Sequence, residues 1–397
     1  MQFDSYLTLV AASGVLLLGR LLVSRIRVLQ SWSIPEPVAG GLAVALLLTL
    51  LRQTSGFTLQ LDTSLQAPLM LAFFATIGLN ADLRSLARGG RMLGRFLLVV
   101  VGLLILQNLV GVSVARLLGL DGLVGLLAGS ITLSGGHGTG AAWSSSFASE
   151  HGLLQASELA MAVATFGLVL GGLCGGPVAR WLMRRPEVLA SAAPPDDETL
   201  AYEQPEAVRL ITAPRMIDTL ALIAASLSLG SLLAGALAGT PLALPAFVCV
   251  LFVGALLRNL LAIPGWYEPE ARAVSVLGNV SLALFLAMAL MSLRLWELSA
   301  LALPLLAIIA AQLLLMLAYA VFVTFRFMGG NYDAAVLAAG HCGFGMGATP
   351  TAIANMQAVT QRYGPSHLAF LLVPMVGAFF IDIVNAAVIK VFVMLMG

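Results

Sequence analysis

Long apolar runs alternate with short polar breaks along this chain. Runs of about 20 residues, the length that crosses a bilayer, lie near 5–24, 34–51, 67–83, 93–115 and 156–179. After a polar stretch they recur near 216–238, 244–262, 276–293, 300–325 and 367–391. The pattern predicts ten membrane-crossing helices. Two more apolar stretches, 122–150 and 333–357, are too broken by Gly, Ser, His and Pro to span. They read as re-entrant hairpins, because irregular backbone at membrane depth survives only against protein or a water-filled cavity.

The two halves repeat each other. Val10-Ala11-Ala12-Ser13 returns as Ile223-Ala224-Ala225-Ser226, and Ile34-Pro35 with Val38 returns as Leu244-Pro245 with Val248. Leu71–Ala75 matches Ala283–Ala287, and Gly136–Ala141 matches Gly343–Ala348. The offsets are 213, 210, 212 and 207 residues, which amounts to one register with small gaps. Five crossings per copy is an odd number, so the second copy enters from the opposite face. The expected fold is therefore an all-α polytopic membrane protein of two inverted repeats with five transmembrane helices each. Residues 1–185 form the first repeat with hairpin 122–150, and 215–397 the second with hairpin 333–357. The stretch 186–214, rich in Pro, Asp and Glu, reads as a solvated linker on the cytoplasmic side.

Composition agrees with the pattern and settles orientation. The chain is 60% hydrophobic and 10% charged, far outside the range of soluble domains. A net charge of +1 gives no reason to expect nucleic acid as a partner. On the ten-helix plan, sixteen arginines, including Arg20, Arg25, Arg27, Arg84, Arg88, Arg209 and Arg362, gather on one side. Arg52, Arg116, Arg294 and Lys390 fall on the other. The positive-inside rule makes the first side cytoplasmic and leaves both termini outside. The first hairpin then dips from outside and the second from the cytoplasm, with their tips meeting near the midplane.

The tips carry the chemistry. The first motif is Ser134-Gly135-Gly136-His137-Gly138-Thr139, and the second holds Gly343-Phe344-Gly345-Met346 with Thr349-Pro350 just beyond. The outgoing arm of a hairpin starts at the tip with unpaired N–H groups and the positive end of its dipole, which attract anions. Thr349-Pro350 reads as an N-cap followed by Pro at N1. Two such starts suit a small molecule with two carboxylates, and no Lys or Arg falls near the middle of a predicted crossing. Glycines also allow close helix packing, so each motif has a structural reading beside the functional one. Cys342 is expected at the second tip, within reach of permeant thiol reagents.

Asp382 is the only acidic residue predicted near the centre of a crossing, and an intramembrane carboxylate needs a cation or several donors. Sodium, or a substrate ammonium, would serve. Asn385, three residues on, adds a second oxygen close to the same helical face and favours sodium. His137 and His341 occupy non-equivalent positions and have no metal-ligand spacing around them. Neutral imidazoles hydrogen-bonding substrate or hairpin backbone fit better. Asn80, Asn279, Ser292, Gln107 and Gln312 are polar groups that either line a pathway or tie helices together.

Ile34–Gly41, Ala72–Asn80, Ser134–Trp143 and Gly340–Gly345 together resemble the bacterial sodium/glutamate symporters, the glutamate permeases, and the likeness runs through nearly the whole chain outside the linker. That resemblance implies import of L-glutamate across the bacterial inner membrane with sodium as the coupling ion and no other cofactor. It also implies two inverted domains with glycine-bearing re-entrant loops, a homodimer and an elevator-type motion. A citrate- or malate-type carrier would need no group to hold an ammonium, which Asp382 weighs against. A hydrolase using Ser134 and His137 lacks an orienting carboxylate. No Walker-type GxxxxGK[ST] run is present to bind a driving nucleotide.

Overall fold

The computed structural model describes residues 2–31, 34–56, 59–82, 90–191, 211–240, 244–262, 267, 269–293 and 301–396. Most of the expected linker, together with Arg84, Arg88, Arg209 and Arg294, lies outside these residues. The described chain is helical apart from a two-residue parallel pairing of Gln2–Phe3 with Gln60–Leu61.

Helices stand at each of the ten predicted positions. In the first half they are α1 (Ser5–Arg25), α2 (Glu36–Ser55), α3 (Gln66–Asn80) and α4 (Gly90–Leu117). An interrupted segment follows, α5 (Gly122–Leu126, running into a π-helical turn at Leu127–Ile131) and α6 (Gly136–His151), before α7 (Ala156–Leu182). The second half holds α8 (Ala213–Leu237), α9 (Ala246–Ala262), α10 (Ala271–Met291) and α11 (Ala302–Tyr319). α11 continues through a π turn to Phe327. Its interrupted segment is α12 (Tyr332–Gly345) and α13 (Thr349–Tyr363). The last helix is α14 (His367–Met375), a π turn at Val376–Phe380, and α15 (Ile381–Met396).

Seven helices among the described residues are long and apolar enough to cross a membrane; Gln66–Asn80 and Ala246–Ala262 are shorter apolar helices. With 14 to 16 residues each, α6, α12 and α13 reach about 21–24 Å at 1.5 Å per residue, short of a hydrocarbon core of about 30 Å. The protein is a polytopic helical membrane protein.

The helices sort into two bodies, each drawing on both halves of the chain. α1, α2, α3, α8, α9 and α10 pack on one another, whereas α4–α7 and α11–α15 form the second body. Their boundary is bridged mainly by α6 against α10, by α15 against α9 and by the Val376–Phe380 turn against α3. Small residues permit close packing inside each body, as expected where lipid removes the hydrophobic drive between helices. A Cβ on Gly78 of α3 would stand 2.2 Å from the Leu251 carbonyl oxygen of α9. Gly111 of α4 and Gly125 of α5 oppose each other equally tightly, each blocked by the other's carbonyl oxygen at 2.2 Å.

Candidate functional site

The two interrupted segments meet tip to tip. Gly136 adopts φ +67°, a left-handed conformation that disfavours side chains, and the nearest atom to a Cβ there would be the Gly347 carbonyl oxygen. Beside the meeting point lies a cavity of about 470 Å³, within the size range of small-molecule sites. Ser134, Gly135, Gly136, His137 and Gly138 line it from the first tip. Phe344, Gly347, Ala348, Thr349 and Pro350 line it from the second, with Gly377 and Asp382 from the last helix. The opposite wall belongs to the other body: Pro35, Pro37, Phe73, Ile77, Asn279 and Leu282.

Both outgoing arms begin at this cavity without a side-chain cap. α6 has Gly135 as its N-cap and α13 has Ala348, and neither receives a capping hydrogen bond from a side chain. The expectation that Thr349 caps α13 is corrected here. Thr349 lies one residue inside the helix, and its hydroxyl donates to the Gly377 carbonyl at 2.7 Å. The π turn at Val376–Phe380 presents that carbonyl and draws the side chain away from its own helix end. Two uncapped helix starts thus face one cavity, and the N–H groups of a helix start can take up anions.

The remaining motif residues divide by role. Thr139 is buried and hydrogen-bonds Asp382. The Gly345 carbonyl accepts from Gln107 Nε2 at 2.6 Å, while the single Ser134 O–H points to Gln107 Oε1 at 2.7 Å with the Gly345 carbonyl 3.2 Å from the same hydroxyl oxygen. Gln107 thus ties the two tips together from α4. Gln312 donates to the Gln107 carbonyl at 2.7 Å, so both amides join helices and neither lines the cavity. Met346 is fully buried, its carbonyl 2.5 Å from where a Cβ on Gly167 would lie.

Gly343 packs the arms of its own hairpin: a Cβ there would come within 2.4 Å of Ala352 Cα. Gly343→Ala should lower the melting temperature of purified protein, since overpacking of this kind costs about 1–3 kcal/mol, and leave ligand affinity within twofold of the parent. An unchanged melting temperature with lost affinity would return Gly343 to the binding site. Cys342 is likewise no tip residue. It is fully buried one turn inside α12 and hydrogen-bonds Cys174, so the expected reach of thiol reagents is not provided by this arrangement.

His137 lines the cavity, with Nε2 3.2 Å from the Thr165 hydroxyl. His341 is sealed in an aromatic box, stacked on Phe344 with Phe96 and Tyr319 edge-on, and its Nδ1 meets Thr324 Oγ1 at 2.9 Å. Asp382 faces the cavity, and no Lys or Arg stands among the lining residues. Asn385 is fully buried away from it, donating to the Ser130 carbonyl at 2.9 Å. Asp382 and Asn385 are therefore not brought to one point. Sequence reasoning missed the apolar wall, Phe73, Ile77 and Leu282, because such residues read alike whether they face lipid or a cavity.

A family model described as sodium/glutamate symporter matches residues 1–365. The chain belongs to the sodium/glutamate symporter family. It is 63% identical to the sodium/glutamate symporter of Escherichia coli strain K12 over 395 residues, covering 99% of this chain and 98% of that protein. It is 51% identical to the sodium/glutamate symporter of Haemophilus influenzae over 393 residues, 98% and 97% of the two chains. The family is one of transporters and not of enzymes. Ser134 and His137 hydrogen-bond to different partners, Gln107 and Thr165, as befits residues that do not act as a nucleophile and its base.

Proposed function

We propose that this protein is a sodium-coupled symporter that imports L-glutamate across the bacterial inner membrane. The observation that carries the reading is the single cavity holding two uncapped helix starts and one carboxylate, a charge complement to two carboxylates and one ammonium. The names of the family and of its relatives supply sodium as the coupling ion. Asp382, without Asn385 beside it in the cavity, serves the substrate ammonium, and the starts of α6 and α13 serve the two carboxylates.

The two halves act as inverted repeats, and Gly122–His151 and Tyr332–Tyr363 as re-entrant hairpins that enter from opposite sides. With the arginine-rich side in the cytoplasm, as the positive-inside rule favours, the termini lie in the periplasm. The cavity reaches Pro35 and Pro37 at the start of α2, the end beside Arg25 and Arg27, so it faces the cytoplasm. The body carrying both hairpins slides against the body of α1–α3 and α8–α10, an elevator-type alternation in which the latter body forms the contact of a homodimer.

Proteoliposomes test coupling directly. Glutamate carries net charge −1 inward, opposed by about 2.3 kcal/mol per 100 mV in an inside-negative vesicle. One sodium cancels that charge, and two or more let the potential drive uptake. Accumulation should require a sodium gradient and rise when an inside-negative potential is imposed. Uptake driven by a proton gradient with sodium absent would end the coupling reading.

A further inference from the structure

The first hairpin breaks before its tip, at a place with no part in the cavity. Gly129 has φ −100° and ψ −136° inside the π-helical turn Leu127–Ile131, so the backbone there leaves the regular helical ladder. Ser130, next to the break, is held on both sides. Its N–H donates to Asn108 Oδ1 of α4 at 2.9 Å, and its carbonyl accepts from Asn385 Nδ2 of α15 at 2.9 Å. Gly135 N–H reaches the same carbonyl at 3.0 Å, which links the break to the tip.

These contacts fix which atoms remain. The Asn385 amide must turn its nitrogen to the Ser130 carbonyl, and so its Oδ1 is the atom left over. Asn385 Oδ1 and Ser130 Oγ are both buried and without a hydrogen-bond partner. Asn108, Ser130 and Asn385 are all fully buried, and an unmatched oxygen there is costly. Asn108 Nδ2 is the remaining unpartnered atom of the cluster and cannot ligate a cation. The incoming arm also ends here, and the negative end of a helix dipole favours positive charge. Hydroxyl and amide oxygens are hard donors of the kind that sodium and other hard cations take up.

We propose that Ser130 and Asn385 bind a coupling sodium ion at the break of the first hairpin, separate from Asp382. The proposal rests on the sodium coupling inferred above and gives it a location. Sodium there ties α15, which carries Asp382, to the arm whose Ser130 carbonyl holds Gly135 N–H, and so steadies the uncapped start of α6. By linkage, sodium and glutamate then raise each other's affinity by one common factor.

The test uses purified full-length protein and sodium chloride against potassium and choline chloride, reading thermal stabilisation without glutamate. Ser130→Ala removes an oxygen that bonds nothing in the protein. It should raise the half-maximal sodium concentration about tenfold, the effect of one modest ligand. Ser144→Ala, a buried serine elsewhere in the same hairpin, should leave that concentration unchanged. If Ser130→Ala fails to fold, Ser130→Cys keeps the volume, replaces the hard donor and should show the same shift. An unchanged sodium midpoint in the folded variant, or equal stabilisation by potassium, overturns this site. If the parent transports glutamate with no sodium at all, the coupling reading falls as well, and the two failures are told apart.

Discussion

Asp382→Asn should yield a folded protein that binds glutamate at least a hundredfold more weakly. The carboxylate faces a cavity whose lining holds no Lys or Arg, and its hydrogen bond within the protein comes from Thr139. An anion in that setting needs a cation from the ligand. Removing one partner of a buried ion pair costs about 3–5 kcal/mol because the other charge is left unpaired, which corresponds to two to three and a half orders of magnitude in affinity. Asparagine keeps the volume and an oxygen for Thr139, so stability should hold. Glutarate, which has both carboxylates and no ammonium, supplies the control: the variant should bind it no more weakly than the parent does. Calorimetry at saturating sodium measures both ligands. Glutamate affinity within twofold of the parent, or equal losses for glutamate and glutarate, would remove Asp382 from the ammonium.

How far the site could be read in advance depended on where each signal lies. The glycine tips stood out because a broken apolar run at membrane depth has few physical excuses, and the structure places both tips on one cavity. Within the motifs, the structure separates glycines that the sequence could not. Gly136 leaves open space at the cavity, whereas Gly135 admits the Thr139 side chain, Gly138 admits Phe73 of the facing wall and Gly343 admits the backbone of its own hairpin's second arm. Both uses demand a missing side chain, so the letters look the same. Thr349 misled for a different reason. Its rival partner, the Gly377 carbonyl, lies 28 residues on and is presented by a π turn that no residue type announces.

Asn385 shows the limit most clearly. Three positions on a helix leave two side chains about 60° apart around the axis, close enough to suggest one site and far enough to face two. Asp382 turns to the cavity, and Asn385 turns to Ser130, 255 residues earlier in the chain. Only the packing of α15 between the first hairpin and α4 distinguishes the cases. The same long-range packing produces the two bodies. Local apolar patterning located the helices, but which helices pack into one body is written in contacts such as Gly78 with Leu251 and Gln107 with Gly345.

Covalently tying the two bodies should abolish uptake while leaving substrate binding intact. On the side of the boundary away from the binding cavity lies a second cavity of about 300 Å³, with Ser145 of α6 on one wall and Ala289 of α10 on another. Neither residue lines the binding cavity, and the native cysteines, Cys174, Cys249 and Cys342, are buried. Ser145→Cys combined with Ala289→Cys offers two thiols for a short bifunctional thiosulfonate. If α6 must slide past α10 to carry its cavity across the membrane, a bridge between them stops the cycle at one position. Sodium-driven glutamate uptake in proteoliposomes should then fall in proportion to the bridged fraction and return on reduction. Each single variant treated with the same reagent should keep its uptake. Glutamate should still bind the bridged protein, because the groups proposed to hold it, Asp382 and the starts of α6 and α13, all belong to the one body and keep their mutual geometry. Transport by fully bridged protein at the rate of its reduced form would exclude sliding at this boundary and with it the elevator motion.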